Sequence, residues 1–294
     1  MTTLDDLKVS SLFDFKNHIV LVTGGATGLG EAAASGFVAN GARVIIASRK
    51  EKELRSTTDR INSTFGGTSG GRCEYIVADL KDKAGCDALV AEVKKRVDRL
   101  TVLLNNAGVT WGAPYDDFPE SGWDKVMALN VKAIYYMTVG LQQLLQKGTN
   151  ATMPSRVINV SSVAGLSTGD VTSGDEGGLS APGSGPFSYG PSKAATIHLS
   201  QFQASKLAPL NIMVNCICPG LFPSRMSNYG IQNFGDTMLS RQPTGRIGKP
   251  ADFAGLVLFL SSAASAHMTG NVITIDGGSH VSGWKRKVQT ESKM

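Results

Sequence analysis

The 294-residue chain is 41% hydrophobic and 18% charged, enough apolar content for one large core, and no change of composition marks a linker between two domains. Its formal net charge is +5, but the basic residues are dispersed except for Trp284-Lys285-Arg286-Lys287 in a polar tail, so a nucleic-acid partner is not expected. No apolar stretch is long enough to span a membrane, and Met1 to Asn17 lacks the basic start and apolar core of a signal peptide, which makes a cytoplasmic protein without a membrane partner the expectation.

An apolar run, His18 to Val22, leads into Thr23-Gly24-Gly25-Ala26-Thr27-Gly28-Leu29-Gly30, and a small-residue helical pattern, Glu31 to Asn40, leaves it. This order of strand, glycine turn and helix is built for a phosphate: glycines let the backbone approach a pyrophosphate, and the helix start offers free N–H groups. Ala42 to Ala47 is a β-branched run of the kind found in buried parallel strands. It ends in Ser48, Arg49 and Lys50 with no acid, which suits the 2′-phosphate of NADP better than the free 2′-hydroxyl of NAD; taken alone, Arg49 is more commonly just an exposed arginine opening a helix.

Residues 50 to 62 read as a charged surface helix, Phe65 to Gly71 as a glycine-rich turn, and Glu74 to Ala78 as a third strand closed by Asp79 and Leu80. Asp79 is placed either at the adenine edge of a cofactor or as the N-cap of a helix over Lys83 to Val97. Leu100 to Leu104 is a fourth strand ending in Asn105-Asn106-Ala107-Gly108, small and amide side chains that permit close approach and polar tethering of a cofactor.

A long helical pattern from Ser121 to Gln146 carries Asn130 among apolar neighbours, either a satisfied structural amide or a functional one. Arg156 to Val160 is a fifth strand, with Ser161 and Ser162 at the C-terminal end where open α/β sheets bind ligands. Gly165 to Pro186 reads as a long loop. Tyr189-Gly190-Pro191-Ser192-Lys193 then opens a helix to about Leu207, placing Tyr189 and Lys193 on one face. Ile212 to Ile217 is a sixth strand ending in Pro219 and Gly220; a polar, mobile-looking stretch from Phe222 to Ile247 precedes a last helix (Ala251 to Ala264) and strand (Val272 to Ile275).

Cys73, Cys86, Cys216 and Cys218 are too few for a disulfide framework and read as reduced packing residues, and four scattered histidines show no ligand spacing, so no metal site is expected.

Thr23 to Gly30, Asn105 to Gly108, Ser162, Tyr189 to Lys193 and Pro219-Gly220, in this order, resemble the classical short-chain dehydrogenase/reductase family over about residues 16 to 280. The resemblance implies a single α/β domain of Rossmann type, a doubly wound seven-stranded parallel sheet with helices on both faces. It also implies a homo-oligomer, a tetramer or dimer, built on the two helices that carry Asn130 and Tyr189. Residues 1–15 are then an N-terminal extension, 165–186 a long loop, 221–247 a substrate lid and 281–294 a tail. Trp111-Gly112, Ser121-Gly122-Trp123 and Phe222-Pro223-Ser224-Arg225-Met226 are similar to ketoacyl reductases, especially those of rhamnolipid pathways, and imply a bulky ketone, polyketide-like or ketoacyl, as the small-molecule carbonyl substrate.

By the same resemblance Asn130, Ser162, Tyr189 and Lys193 are the catalytic set. Tyr189 donates a proton to the carbonyl oxygen, Ser162 a hydrogen bond, Lys193 bonds the nicotinamide ribose and, with the oxidised nicotinamide ring, supplies the positive charge the phenol needs to share its proton, and Asn130 holds a water that links Lys193 to solvent. The cofactor-binding set for NADP(H) is Gly24, Thr27, Gly28, Leu29, Gly30, Ser48, Arg49, Lys50, Asp79, Leu80, Asn106, Ala107, Gly108, Tyr189, Lys193, Pro219 and Gly220. Thr27 stands where many NADP-preferring relatives carry a basic residue, so preference rests on Ser48, Arg49 and Lys50. Ser162 and Tyr189 are 27 residues apart (189 − 162), roughly twice the family spacing; the extra loop, about Gly169 to Gly183, is expected to shape substrate choice. The rival readings are an NADP-dependent alcohol dehydrogenase, an imine reductase, and a non-catalytic NADP-binding regulator.

Overall fold

Seven short β-branched runs alternate with helices too long to pair with them, so each strand must reach its neighbour through a crossover helix. In the computed structural model, which describes residues 4–168 and 183–281, these runs form one parallel sheet in the order β3-β2-β1-β4-β5-β6-β7. The strands are β1 (Ile19–Thr23), β2 (Arg43–Ser48), β3 (Arg72–Val77), β4 (Val102–Asn105), β5 (Ser155–Val160), β6 (Ile212–Pro219) and β7 (Val272–Ile275). The helices are α1 (Gly28–Ala39), α2 (Glu51–Ile61), α3 (Lys83–Arg96), α4 (Glu120–Met127), α5 (Ala133–Gln146), α6 (Tyr189–Leu207), α7 (Asn228–Ser240) and α8 (Pro250–Ser261).

Strand alternation sorts the core into two layers. Val20, Val22, Val44 and Ile46 face α1 and α8, where Phe37 and Phe253 are fully buried; Leu21, Ile45 and Leu103 face α3, α5 and α6. The expected fold class is thus observed. β1 is flanked by β2 and β4, so the chain reverses its winding there and leaves a crevice at the C-terminal ends of the strands.

Local readings needed correction in four places. Residues 62–69 are not a simple glycine turn: Asn62–Gly66 forms a π turn and Gly67–Ser69 a helical one, because the Asn62 amide clamps both backbone groups of Cys73. The N-cap of α3 is Asp82, whose Oδ1 accepts from Gly85 N at 2.8 Å, so the capping role considered for Asp79 is withdrawn. The long helix is interrupted between α4 and α5 by a π turn at Ala128–Lys132, centred on Asn130. The stretch 222–247 contains α7, hidden in the sequence by its polar surface; Met238 is its buried anchor. The loop expected at Gly165–Pro186 begins with a 3-10 turn, Val163–Gly165, and ends where Gly185 bridges antiparallel to Ala113; its middle, residues 169–182, lies outside the described residues, as does most of the basic tail.

Between the sheet and α6 runs a buried polar chain. Asn105 Nδ2 donates to Asn159 Oδ1 at 2.9 Å, and Asn159 Nδ2 donates to Ser200 Oγ at 3.0 Å and Gln203 Oε1 at 3.1 Å. Removing its central member strands partners that water cannot reach. Asn159→Leu is therefore expected to lower stability by about 2–4 kcal/mol, read as a lower urea midpoint at unchanged slope.

Candidate active site

The strand-end crevice opens into a cavity of about 910 Å3 that runs from the glycine turn to Tyr189. At one end, Gly24 and Gly28 have φ of +65° and +60°, which side chains disfavour. A Cβ on Gly30 would lie 2.3 Å from Gly24 O and 2.6 Å from Asn106 Nδ2, so α1 can start against the turn only with glycine there. Helix α1 begins at Gly28, earlier than its sequence pattern indicates, and its N-cap Thr27 makes no side-chain capping bond. The first-turn N–H groups are therefore left for a ligand anion.

Asn106 ties the two central strands: its Nδ2 donates to Thr23 O and Gly24 O at 3.1 and 3.2 Å, while Thr23 Oγ1 accepts from the N–H of Asn106 and of Ala107. Gly24, Thr27, Gly28, Leu29, Ser48, Arg49, Lys50, Asp79, Leu80, Asn106, Ala107 and Gly108 all border the cavity, as do Pro219 and Gly220. Gly30 lies behind the turn, where its role is close packing. The cradle, the uncapped helix start and the run Ser48–Lys50, which holds no acid, fit a dinucleotide carrying a 2′-phosphate. Lys50 is already engaged, however, its Nζ donating to Glu53 Oε1 at 3.1 Å.

At the other end, α6 presents Tyr189 and, one turn on, Lys193, with Lys193 Nζ 5.4 Å from the Tyr189 ring centre. Lys193 is buried and donates from Nζ to Val160 O at 2.9 Å, and Ser161 Oγ donates to Lys193 O at 2.7 Å, locking α6 to the end of β5. Ser162 caps the following 3-10 turn by accepting from Ala164 N at 3.2 Å, and it lies close enough to the Tyr189 phenol to oppose the effect of burial on it. Glycine at 165 is required, since a Cβ there would lie 2.6 Å from the Lys193 carbonyl carbon.

Asn130 spends its side chain on the scaffold. Its Oδ1 accepts from Val109 N at 2.9 Å and its Nδ2 donates to Val109 O and Ser192 Oγ, both at 3.0 Å, joining the loop after β4 to α6. Its backbone carbonyl, in the π turn, accepts from Thr196 Oγ1 at 2.9 Å. Asn130 and Lys193 meet on either side of Gly108, where a Cβ would lie 3.4 Å from Asn130 Oδ1 and 3.5 Å from Lys193 Nζ.

Burial sets the charge states. It pushes the Tyr189 phenol up to about 12, against the lowering effect of the Ser162 hydrogen bond, and pulls Lys193 down to about 8. Lys193 is not among the groups that lower the phenol; burial dominates, and Tyr189 stands as a proton donor.

Sequence reasoning missed part of the wall. Glu53 on α2 and His280 beyond β7 border the cavity without any motif to mark them, and within the expected lid Met238, Arg241 and Gln242 are the residues of its second half that do so. His280 is held by Asp276, whose Oδ2 lies 2.7 Å from His280 Nδ1, in a turn made possible by Gly277 and Gly278 at φ +64° and +85°.

Fold and site together define a dinucleotide-dependent oxidoreductase of the short-chain type. A family model described as enoyl-(acyl carrier protein) reductase matches residues 24–280, and the chain belongs to the short-chain dehydrogenase/reductase family. It is 40% identical over 272 residues, 92% of this chain and 98% of the relative, to the rhamnolipids biosynthesis 3-oxoacyl-[acyl-carrier-protein] reductase of Pseudomonas aeruginosa. It is 32% identical to a 3-oxoacyl-[acyl-carrier-protein] reductase of Thermotoga maritima, over 90% of this chain and 98% of that one. Among solved structures, the Pseudomonas aeruginosa RhlG/NADP active-site complex matches with a TM-score of 0.80 at 40% identity, covering 92% of this chain and 98% of that chain. A putative short-chain alcohol dehydrogenase from Sinorhizobium meliloti matches with a TM-score of 0.78 at 27% identity, covering 92% and 99%.

The buried Lys193 has a stability consequence. Below pH 8 lysine is charged in both folded and unfolded chains and the full cost of burying the charge is felt; between about 8 and the ordinary 10.5 the unfolded chain binds more protons, so stability rises with pH. Without cofactor, the stability of Lys193→Met relative to wild type is expected to be greatest at pH 7 and to fall by about 3 kcal/mol between pH 8 and 10.5, as measured by urea unfolding across that range.

Proposed function

We propose that the protein reduces a ketone on a bulky, ketoacyl-type substrate to the alcohol, using NADPH. The carrying observation is the one cavity that joins a phosphate cradle to the Ser162–Tyr189–Lys193 cluster. NADPH, when bound, supplies the hydride. Gly24 to Gly30 and the α1 start hold its pyrophosphate, Ser48 and Arg49 its 2′-phosphate, and Asn106 to Gly108 with Pro219 and Gly220 the nicotinamide end. The names of the two ketoacyl-reductase relatives support the substrate class, and the NADP in the Pseudomonas complex supports the cofactor.

Ser162 and Tyr189, both lining the cavity, accept a carbonyl oxygen between them. Ser162 donates a hydrogen bond to it, and Tyr189 delivers the proton as negative charge develops on that oxygen. Lys193 supplies positive charge behind the phenol, and its buried ammonium gives up a proton easily enough to refill it. Asn130 holds the backbone around Lys193 and the water path to it. Residues 221–247 cover the substrate, with Leu221, Phe222, Met226 and Met238 as the apolar wall.

The same reading makes the protein a cytoplasmic homo-oligomer. Tyr135 and Val139 on α5 and Phe202 on α6 are 46%, 51% and 65% exposed, an apolar display on the two helices the family pairs between subunits.

Tyr189→Phe is expected to reduce turnover about 10²-fold to 10⁴-fold while NADPH affinity stays near wild type; retained turnover would reject the mechanism. Arg49→Ala is expected to weaken NADPH about tenfold and NADH little, measured by direct titration. The function itself is tested on a panel of 3-oxoacyl thioesters, simple ketones, alcohols and cyclic imines, following reduced nicotinamide absorbance. Preference for the 3-oxoacyl thioesters is expected, and activity confined to imines or alcohols would overturn it.

A further inference from the structure

The loop after β6 reaches across the cavity to the start of α2. Arg225 Nη1 donates to Glu53 Oε1 at 2.9 Å, and the same oxygen accepts from Lys50 Nζ at 3.1 Å. Ser224, next to Arg225, comes within 3.8 Å of where a Cβ on Gly28 would stand, so this loop passes over the glycine turn. Ser48, Arg49, Lys50, Glu53 and Arg225 all border the cavity. Two cations 175 residues apart in the chain (225 − 50) thus converge on one carboxylate oxygen beside the end of β2. Like charges gather in this way only around an anion.

We propose that Arg225 and Lys50 form a two-cation receptor for the 2′-phosphate of NADPH, and that Glu53 is the internal anion occupying this receptor until the phosphate displaces it. This makes Arg225 a cofactor-specificity residue contributed by the substrate-covering loop, and it rests on the NADPH reading above. A phosphate bearing about two negative charges and several acceptor oxygens outcompetes a single carboxylate for the two cations. The carboxylate, left beside the phosphate, repels it. Glu53 therefore opposes NADPH binding while Arg225 promotes it, and NADH, lacking the phosphate, is indifferent to both.

Opposite signs distinguish this role from a simple fastening of the loop, in which loss of either partner would loosen the cover equally. The test is direct titration of NADPH, NADH, 2′,5′-ADP and 5′-AMP into wild type, Arg225→Gln and Glu53→Gln, with melting temperatures measured in parallel. Arg225→Gln is expected to weaken NADPH and 2′,5′-ADP about tenfold and to flatten their salt dependence, leaving NADH and AMP unchanged. Glu53→Gln is expected to strengthen NADPH and 2′,5′-ADP several-fold. If Glu53→Gln leaves NADPH unchanged or weakens it, or if either variant shifts NADPH and NADH alike, the pair only fastens the loop and the proposal is overturned. A wild type that binds NADH as tightly as NADPH would instead overturn the NADPH reading itself, and with it this receptor.

Discussion

The structure depends on the contact between the start of α1 and the ends of β1 and β4. Gly30 sits against Gly24 O, and the Asn106 amide crosses from β4 to bind Thr23 O and Gly24 O. Because the winding reverses between these strands, this is the one place where the sheet's C-terminal edge opens. A single extra carbon at Gly30 would push helix and turn apart. The orphan N–H groups of the helix start would then no longer point at a common centre.

A second constraint is the burial of Lys193 with no carboxylate among its partners in the described residues. Its ammonium is held by the Val160 carbonyl, and burial pulls its pKa down to about 8. An acid beside it would make a tight ion pair and neutralise it. The Val160 carbonyl instead positions the charge, 5.4 Å from the Tyr189 ring centre, without cancelling it. The polar chain from Asn105 through Asn159 to Ser200 lies beneath the same helix, so α6 is fastened to the sheet by hydrogen bonds as well as by packing.

The π turn around Asn130 joins these two regions. Widening the helix there lets the Asn130 side chain reach Val109 and Ser192, while its carbonyl meets Thr196. Three segments that border the cavity are thereby held in register by one amide: the loop after β4, the interrupted helix and α6. An asparagine in an apolar helix pattern looks costly in sequence, and its full hydrogen-bonding removes that cost.

The sequence by itself indicated the parallel sheet, because short apolar runs alternating with helical patterns point to crossover-connected strands and the ordered motifs resemble a doubly wound family. It also determined the glycine turn, the Ser162, Tyr189 and Lys193 positions and the basic end of β2, since each rests on local chemistry: chain reversal, helix spacing, or the charge at a strand end. Tertiary structure alone decided what depends on the path the chain takes. Asp82 rather than Asp79 caps α3 because the chain turn places its oxygen over Gly85, three residues on. Helix α7 forms in a stretch whose polar surface conceals its buried anchor. Asp276 turns His280, four residues on, into the cavity wall, and Arg225 meets the sequence-distant Glu53 across the cavity. Likewise the pKa of Tyr189 follows from the sum of burial and hydrogen bonding around it, a quantity no spacing of residues encodes.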